Sequence, residues 1–346
     1  MLRRTRLLAA PAAALLLALS ACTTGSTDGN GDSSSAAQTE TKADANAFPV
    51  TIKHAFGETT VESEPKRVAT VGWTDQDHAL ALGVVPVGAT KITWGGNAAG
   101  STDWFDEEIE DLDATAPVRY DDTDGIPFDE ISKVSPDLIL ATNSGITKED
   151  YDKLSGIAPV VAYPEAPWVT PWQTSLDTVG KALGRSTLAA EVKKDAEEEI
   201  AEAREENPEI QGKTLIFGYL TTTDLSQIGI YAPEDPRVSF MHDLGLVDAP
   251  SVKDAIKPGE FYGQVSAERG SELASDVFLT WSETDKDMDT FTADKLIGQI
   301  PAIKNGHAYA EADKPTAMAV TNPTPLSIET IVDTFLPKVV TAVKGS

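Results

Sequence analysis

Residue types that perform metal and covalent chemistry are scarce in this chain, which has one cysteine and four histidines in 346 residues. His54, His78, His242 and His307 are dispersed, with no spaced pair to offer two imidazoles to one ion. Zn²⁺ or Mn²⁺ bound directly needs several such ligands, so a metal site built from the protein is disfavoured. Acids are plentiful, 55 Asp and Glu against 28 Lys and Arg, which raises a secreted hydrolase with paired carboxylates as one reading. The same abundance makes any single carboxylate an ordinary surface group, and neither G-x-S-x-G nor H-E-x-x-H occurs. GKALGRST superficially resembles a phosphate loop, but its glycine spacing is wrong and Arg185 stands where lysine belongs. The chemistry left is aromatic. Trp73, Trp168, Trp172, Trp281 and Tyr219, with Thr142 and Asn143, follow predicted strands, and Tyr231 and Arg237 lie near them in the second half. Aromatics that each bury about 150 to 250 Å² suit a bulky, semi-apolar ligand. Trp94 and Trp104, in the Gly-rich stretch TWGGNAAGSTDWF, are expected to form a mobile rim.

Cys22 cannot close an intramolecular disulfide, because no second cysteine exists. Arg3, Arg4 and Arg6 precede an apolar run from Leu7 to Leu19, and Leu19-Ser20-Ala21 then forms a small-residue cleavage site. LSAC in this setting resembles the bacterial lipobox, which implies that residues 1–21 are a signal and that Cys22 carries the lipid. Residues 22–47, rich in Ser, Thr, Gly, Asp and Ala, read as a flexible tether. The expected location is the outer face of the cytoplasmic membrane of a Gram-positive bacterium, held by lipid alone. A net charge of −27 argues against nucleic acid as a partner.

The elements that would position the aromatics follow from periodicity. Arg67 to Gly72 reads as a buried strand, Thr74-Asp75-Gln76-Asp77 as a capping box opening a helix that ends at Gly83, and Val84 to Ala89 as the next strand. Strand, helix and strand in this order indicate a parallel α/β layer, whose ligands sit at the carboxyl ends of the strands. An internal repeat appears at an offset of 139 positions: Asp129 falls on Glu268, Ser132 on Ser271, Asp137 on Asp276, and Leu138 and Leu140 on Val277 and Leu279. Each copy reads as an acidic-headed helix followed by a strand. The first continues with a capped helix from Thr147 and the strand Pro159 to Tyr163. The second continues with a helix near Ala293 to Ile300 and the strand His307 to Ala310. Between the copies, Leu188, Val192, Ala196, Ile200 and Ala203 recur on one face of a single long helix that Pro208 ends. The chain thus divides into an N-terminal α/β lobe (48–185), a linking helix (186–208) and a C-terminal α/β lobe (209–346). The fold class is α/β: two Rossmann-like lobes with central, mainly parallel sheets, and a ligand cleft between them.

PKRVATVGWTDQDHALALGVVPVG, PFDEISKVSPDLILAT, the long helix, FMHDLGLVD and PLSIETIVDTFLPKVV, in this order, resemble the ferric-siderophore substrate-binding lipoproteins of ABC transporters. The resemblance implies two lobes on one rigid helix, no enzymatic activity, no cofactor, and a monomer that binds an iron(III)-siderophore complex in its cleft. It also implies that one acid on each lobe pairs with arginines of the permease subunits. Asp129, with Glu130 beside it, and Glu268 match those positions. Outside the signal there are few arginines, and by position Arg119 and Arg237 reach the cleft, which favours a hydroxamate or mixed chelate over an anionic catecholate. Haem or a corrinoid in the same cleft, with His78 or a tyrosine as axial ligand, stays open as an alternative.

Overall fold

The computed structural model describes residues 41–257 and 260–345. The expected signal, Cys22 and the expected tether as far as residue 40 lie outside the described residues. β1 (Val50–His54) and β2 (Gly57–Val61) pair as an antiparallel hairpin. The first large sheet holds β3 (Val68–Thr70), β4 (Gly88–Thr90), β5 (Val118–Tyr120), β6 (Leu138–Ala141) and β7 (Val160–Ala162), all parallel, in the order β5-β4-β3-β6-β7. Every residue of β3, β4, β6 and β7 is buried, as a parallel sheet covered on both faces requires. The chain builds outward from β3 through β4 and β5, then returns to place β6 on the other side of β3. Such a reversal leaves a crevice outside the carboxyl ends of β3 and β6.

The second sheet contains β8 (Thr214–Thr221), β9 (Asp224–Tyr231), β10 (Val247–Asp248), β11 (Tyr262–Ser266), β12 (Val277–Trp281) and β13 (Ala308–Glu311). β10 and β12 pair with β8 in parallel and β13 with β12, whereas β9 folds back on β8 and β11 on β9 in antiparallel pairing. That hairpin addition was not legible in the strand-helix-strand reading. The repeat is nonetheless physical. β3, β6 and β7 are neighbours in one sheet as β8, β12 and β13 are in the other. Asp137 accepts hydrogen bonds from the backbone N–H groups of Lys66 and Arg67 just before β3 (2.8 and 2.9 Å), and Asp276 accepts from the Thr214 N–H at the start of β8 (2.8 Å). Each aspartate pins the first strand of its own sheet.

The helix Ser186–Glu206 buries Ala189, Ala196, Ile200 and Ala203, with Leu188 and Val192 half-covered beside them. One apolar cluster runs from Val68 and Leu140 through Ala196 and Ile200 to Leu215 and Leu279. A shared core of this kind opposes free relative motion of the two sheets.

Several boundaries differ from expectation. The Thr74 side chain makes no cap hydrogen bond, so the predicted capping box is absent, although the helix itself runs Asp75–Ala81. The strand expected from Val84 shrinks to Gly88–Thr90, after Pro86. The second acidic-headed helix is a 3₁₀ segment, Ala267–Glu272, and the predicted helix from Ala293 is a helix Asp287–Ala293 followed by short pieces at Ile297–Gln299 and Pro301–Lys304. The tether also stops earlier than residue 47. Arg185, only 1% exposed, donates from Nε to Thr41 Oγ1 (2.8 Å) and from Nη2 to the Thr41 carbonyl (3.0 Å) and Glu64 (3.1 Å). Asp44 caps the opposite side by accepting from the Thr187 N–H (3.0 Å). A buried guanidinium must find acceptors, and the polar backbone of this segment supplies them.

Candidate functional site

A crevice too narrow to admit a water molecule lies at the carboxyl ends of β3 and β6. Thr74, His78 and Asn143 line it from the first sheet's side, Thr170, Trp172 and Ser175 from the connecting segment, and Pro236, Asn322 and Pro323 from the second. Its lining thus comes from both halves of the chain. Trp73 is half-buried beside Thr74. Trp168 is 42% exposed, two residues before Thr170, with its backbone in the left-handed region at φ 64°. A bulky residue adopts that conformation only where its surroundings impose it.

From the second half, Arg237 adjoins the lining residue Pro236. Its guanidinium lies 3.7 Å from the centre of the Tyr231 ring, and its Nε donates to Asp235 (2.6 Å). Tyr231 contacts Tyr262 (5.4 Å between rings) and Phe217 (6.1 Å). The strand pairing places Tyr219, 43% exposed, opposite Gly229. Trp73, Trp168 and Arg237 thus each lie one or two residues along the chain from a residue that lines the crevice, and Tyr231 stacks on Arg237.

Other expected site residues have different roles. Thr142 is fully buried and donates from both its N–H and its hydroxyl to Asp75 Oδ1 (3.0 and 2.6 Å), so it supports β6 and does not face a ligand. Trp281 is 7% exposed and packs on Phe217 and Phe335, which makes it part of the core. Its truncation is a matter of stability first. Trp104 lies in the helix Asp103–Asp111 and donates from Nε1 to Asp77 (2.7 Å), and Trp94 packs against the shared core. The rim expected to be mobile is thus tied down. A Cβ on Gly95 would lie 2.5 Å from Met318 Cβ, so the loop meets the helix Lys314–Thr321 with only a glycine between. Arg119 points inward: it binds Gln76 and Ser101 and lies over the Phe105 ring. Trp172 and Asn143 are buried but do line the crevice.

The stretch Asp75-Gln76-Asp77-His78 is wholly buried, which composition alone did not suggest. Burial pushes both Asp75 and Asp77 up to about 6, against the lowering effect of their hydrogen bonds from Thr142 and from Trp104 and Thr324. Burial also lowers His78 to about 3, so its ring is neutral. His78 is 1% exposed although it lines the crevice. Asp77 joins the two halves directly, because Thr324, 247 residues away, donates its hydroxyl to the same oxygen as Trp104 (2.9 Å). Among the described residues no group of three His, Cys, Asp or Glu comes together as a metal site, and no helix is long and apolar enough to cross a membrane.

Comparison with known proteins matches this architecture. The chain is 41% identical to PiaA of Streptococcus pneumoniae TIGR4, solved in complex with ferrichrome, over 85% of this chain and 99% of that one, with a TM-score of 0.81. A periplasmic solute-binding protein of Mycobacterium smegmatis is 28% identical over 85% of this chain and 98% of its own, with a TM-score of 0.70. The probable siderophore-binding lipoprotein YfiY of Bacillus subtilis is 23% identical over 310 residues, which cover 86% of this chain and 87% of that protein. The family model described as periplasmic binding protein matches residues 68–314, a span holding both large sheets and the linking helix. The chain therefore belongs to the periplasmic binding protein family, whose members bind solutes for transporters and are not enzymes.

Proposed function

We propose that this protein captures a ferric siderophore in the crevice between its lobes and delivers it to an ABC-transporter permease for iron uptake. The observation that carries the reading is a crevice lined from both halves of the chain, by Thr74, Asn143, Thr170 and Trp172 on one side and Pro236, Asn322 and Pro323 on the other. Trp73, Trp168 and Arg237 each stand one or two residues from a lining residue. Aromatic faces suit the apolar body of a chelate that encloses the iron in its own ligand. Arg237 is largely neutralised by Asp235, and Arg119 is occupied elsewhere. Little free positive charge lines the crevice, which favours a hydroxamate complex over a strongly anionic catecholate. The bound ferrichrome in the similar PiaA supports the same choice.

The experiment is a ligand panel read by intrinsic tryptophan fluorescence: ferrichrome, a ferric catecholate, ferric citrate and haem, each chelator also tested without iron. Ferrichrome is expected to quench strongly and to bind at least about tenfold more tightly than its iron-free form, a difference of about 1.4 kcal/mol or more. Binding of haem alone, or hydrolysis of a test substrate without any chelate binding, would overturn the assignment.

Anchoring by lipid at Cys22 is part of the proposal, supported by the Leu19-Ser20-Ala21-Cys22 pattern and by a relative named as a lipoprotein. The Cys22→Ser chain is expected to take up no labelled fatty acid and to leave the membrane fraction. Labelling equal to that of the natural chain would remove the anchor.

A further inference from the structure

We infer that Gly145 is a positioning residue that seats the Trp168 ring at the mouth of the crevice, so that a single hydrogen in place of a side chain sets the ligand-facing aromatic surface. This rests on the siderophore reading above and adds a residue to it.

Gly145 follows Asn143 and Ser144 at the end of β6, and its backbone needs no left-handed conformation. Its lack of a side chain is explained by contact. A Cβ at this position would lie 2.5 Å from Trp168 Cζ2 and 2.6 Å from both Cε2 and Nε1. Real Cβ atoms do not come so close, so any larger residue must displace the indole. Trp168 is free to move in response, since it is the most exposed of the six tryptophans and its loop, Pro164 to Pro167, carries no strand or helix. Yet its backbone sits at φ 64°, a conformation disfavoured for a tryptophan and sustained only by the contacts around it. The ring is therefore held by two features, a strained backbone below and a flush glycine beside it. Asn143 and Thr170, each two residues from Gly145 and Trp168, both line the crevice. On that ground the seat is assigned to the crevice margin.

The test is a double-mutant cycle on the full chain with Gly145→Ala, Trp168→Ala and the combination, using ferrichrome as the probe. Gly145→Ala is expected to fold with an unchanged far-ultraviolet spectrum and to lose about tenfold in affinity, as Trp168→Ala does, because both remove the same ordered aromatic contact. The combination should be no weaker than Trp168→Ala alone. A ligand-free readout runs alongside it: acrylamide quenching of tryptophan should differ between the natural chain and Gly145→Ala, and this difference should vanish in the Trp168→Phe background. Unchanged affinity in Gly145→Ala, or an equal loss in the Trp168→Ala background, overturns the seat. Should the natural chain bind no ferric chelate, the functional reading fails, and the quenching comparison still decides whether Gly145 holds the ring.

Discussion

A chain carrying Asp129→Ala and Glu268→Ala together is expected to bind its ligand as the natural chain does and yet fail to support uptake. Asp129 is exposed on the helix Phe128–Lys133, and Glu268 is exposed on the 3₁₀ segment Ala267–Glu272. Each element leads into the equivalent strand of its sheet, β6 or β12. Neither carboxylate is held in an ion pair among the described residues, so both are free to meet a partner's cations. The alternative role, stabilising a helix start through its dipole, is worth about 0.3 to 1 kcal/mol per residue on a regular helix. Six residues and a 3₁₀ segment give that dipole little length to act through. Loss of two interfacial ion pairs, at about 1.5 kcal/mol or more each, weakens docking on the order of 100-fold. The comparison to make is iron uptake by cells holding equal amounts of each chain, with ligand affinity measured separately. Glu130 is exposed beside Asp129, so a partial defect in the double variant is to be followed by the triple one. Uptake at the natural rate in the triple variant would remove the docking assignment.

The buried Asp75-Gln76-Asp77-His78 segment should give the protein a divided response to acid. Asp75 and Asp77 have folded-state values of about 6, above the ordinary 3.8, so the folded state holds more protons than the unfolded chain between those pH values. Their contribution is fully present below about pH 4 and is lost as pH rises through 6, at a cost on the order of 3 kcal/mol per ionised carboxylate. His78 acts in the opposite sense. Its value falls from 6.5 to about 3, so its contribution is present above 6.5 and is lost as pH falls below it. The two effects offset one another in the natural chain, and substitutions separate them. The stability of Asp77→Asn relative to the natural chain should fall by roughly 3 kcal/mol between pH 7 and pH 4. His78→Gln should instead gain on the natural chain as the solution is acidified. Denaturant unfolding at four or five pH values measures both differences. A difference for Asp77→Asn that stays flat with pH would show that Asp77 is not a buried acid in solution. The pH dependence is the diagnostic quantity, because Asn also places an amide where an oxygen received the Trp104 and Thr324 hydrogen bonds.

What the sequence determined by itself was local or repeated. The long helix was legible because its buried positions recur at three and four residues, a period that no other element imposes. The Thr147 capping box was legible because its partner, Asp150, is three residues away and nothing else competes for it. The offset of 139 positions was legible because Asp137 and Asp276 each do the same task within their own sheet. Tertiary structure decided wherever a side chain's partner lies far along the chain. Asp77 has the spacing of a capping-box acid, but it accepts from Trp104 and from Thr324, and Thr74 is left without a cap. Trp168 and Trp281 both follow strands, yet Gly145 holds one at the crevice while Phe217 and Phe335 enclose the other. Position in the sequence placed these aromatics at sheet ends. The direction in which each one points depends on which distant surface leaves room for a ring, and packing at that range has no period to read.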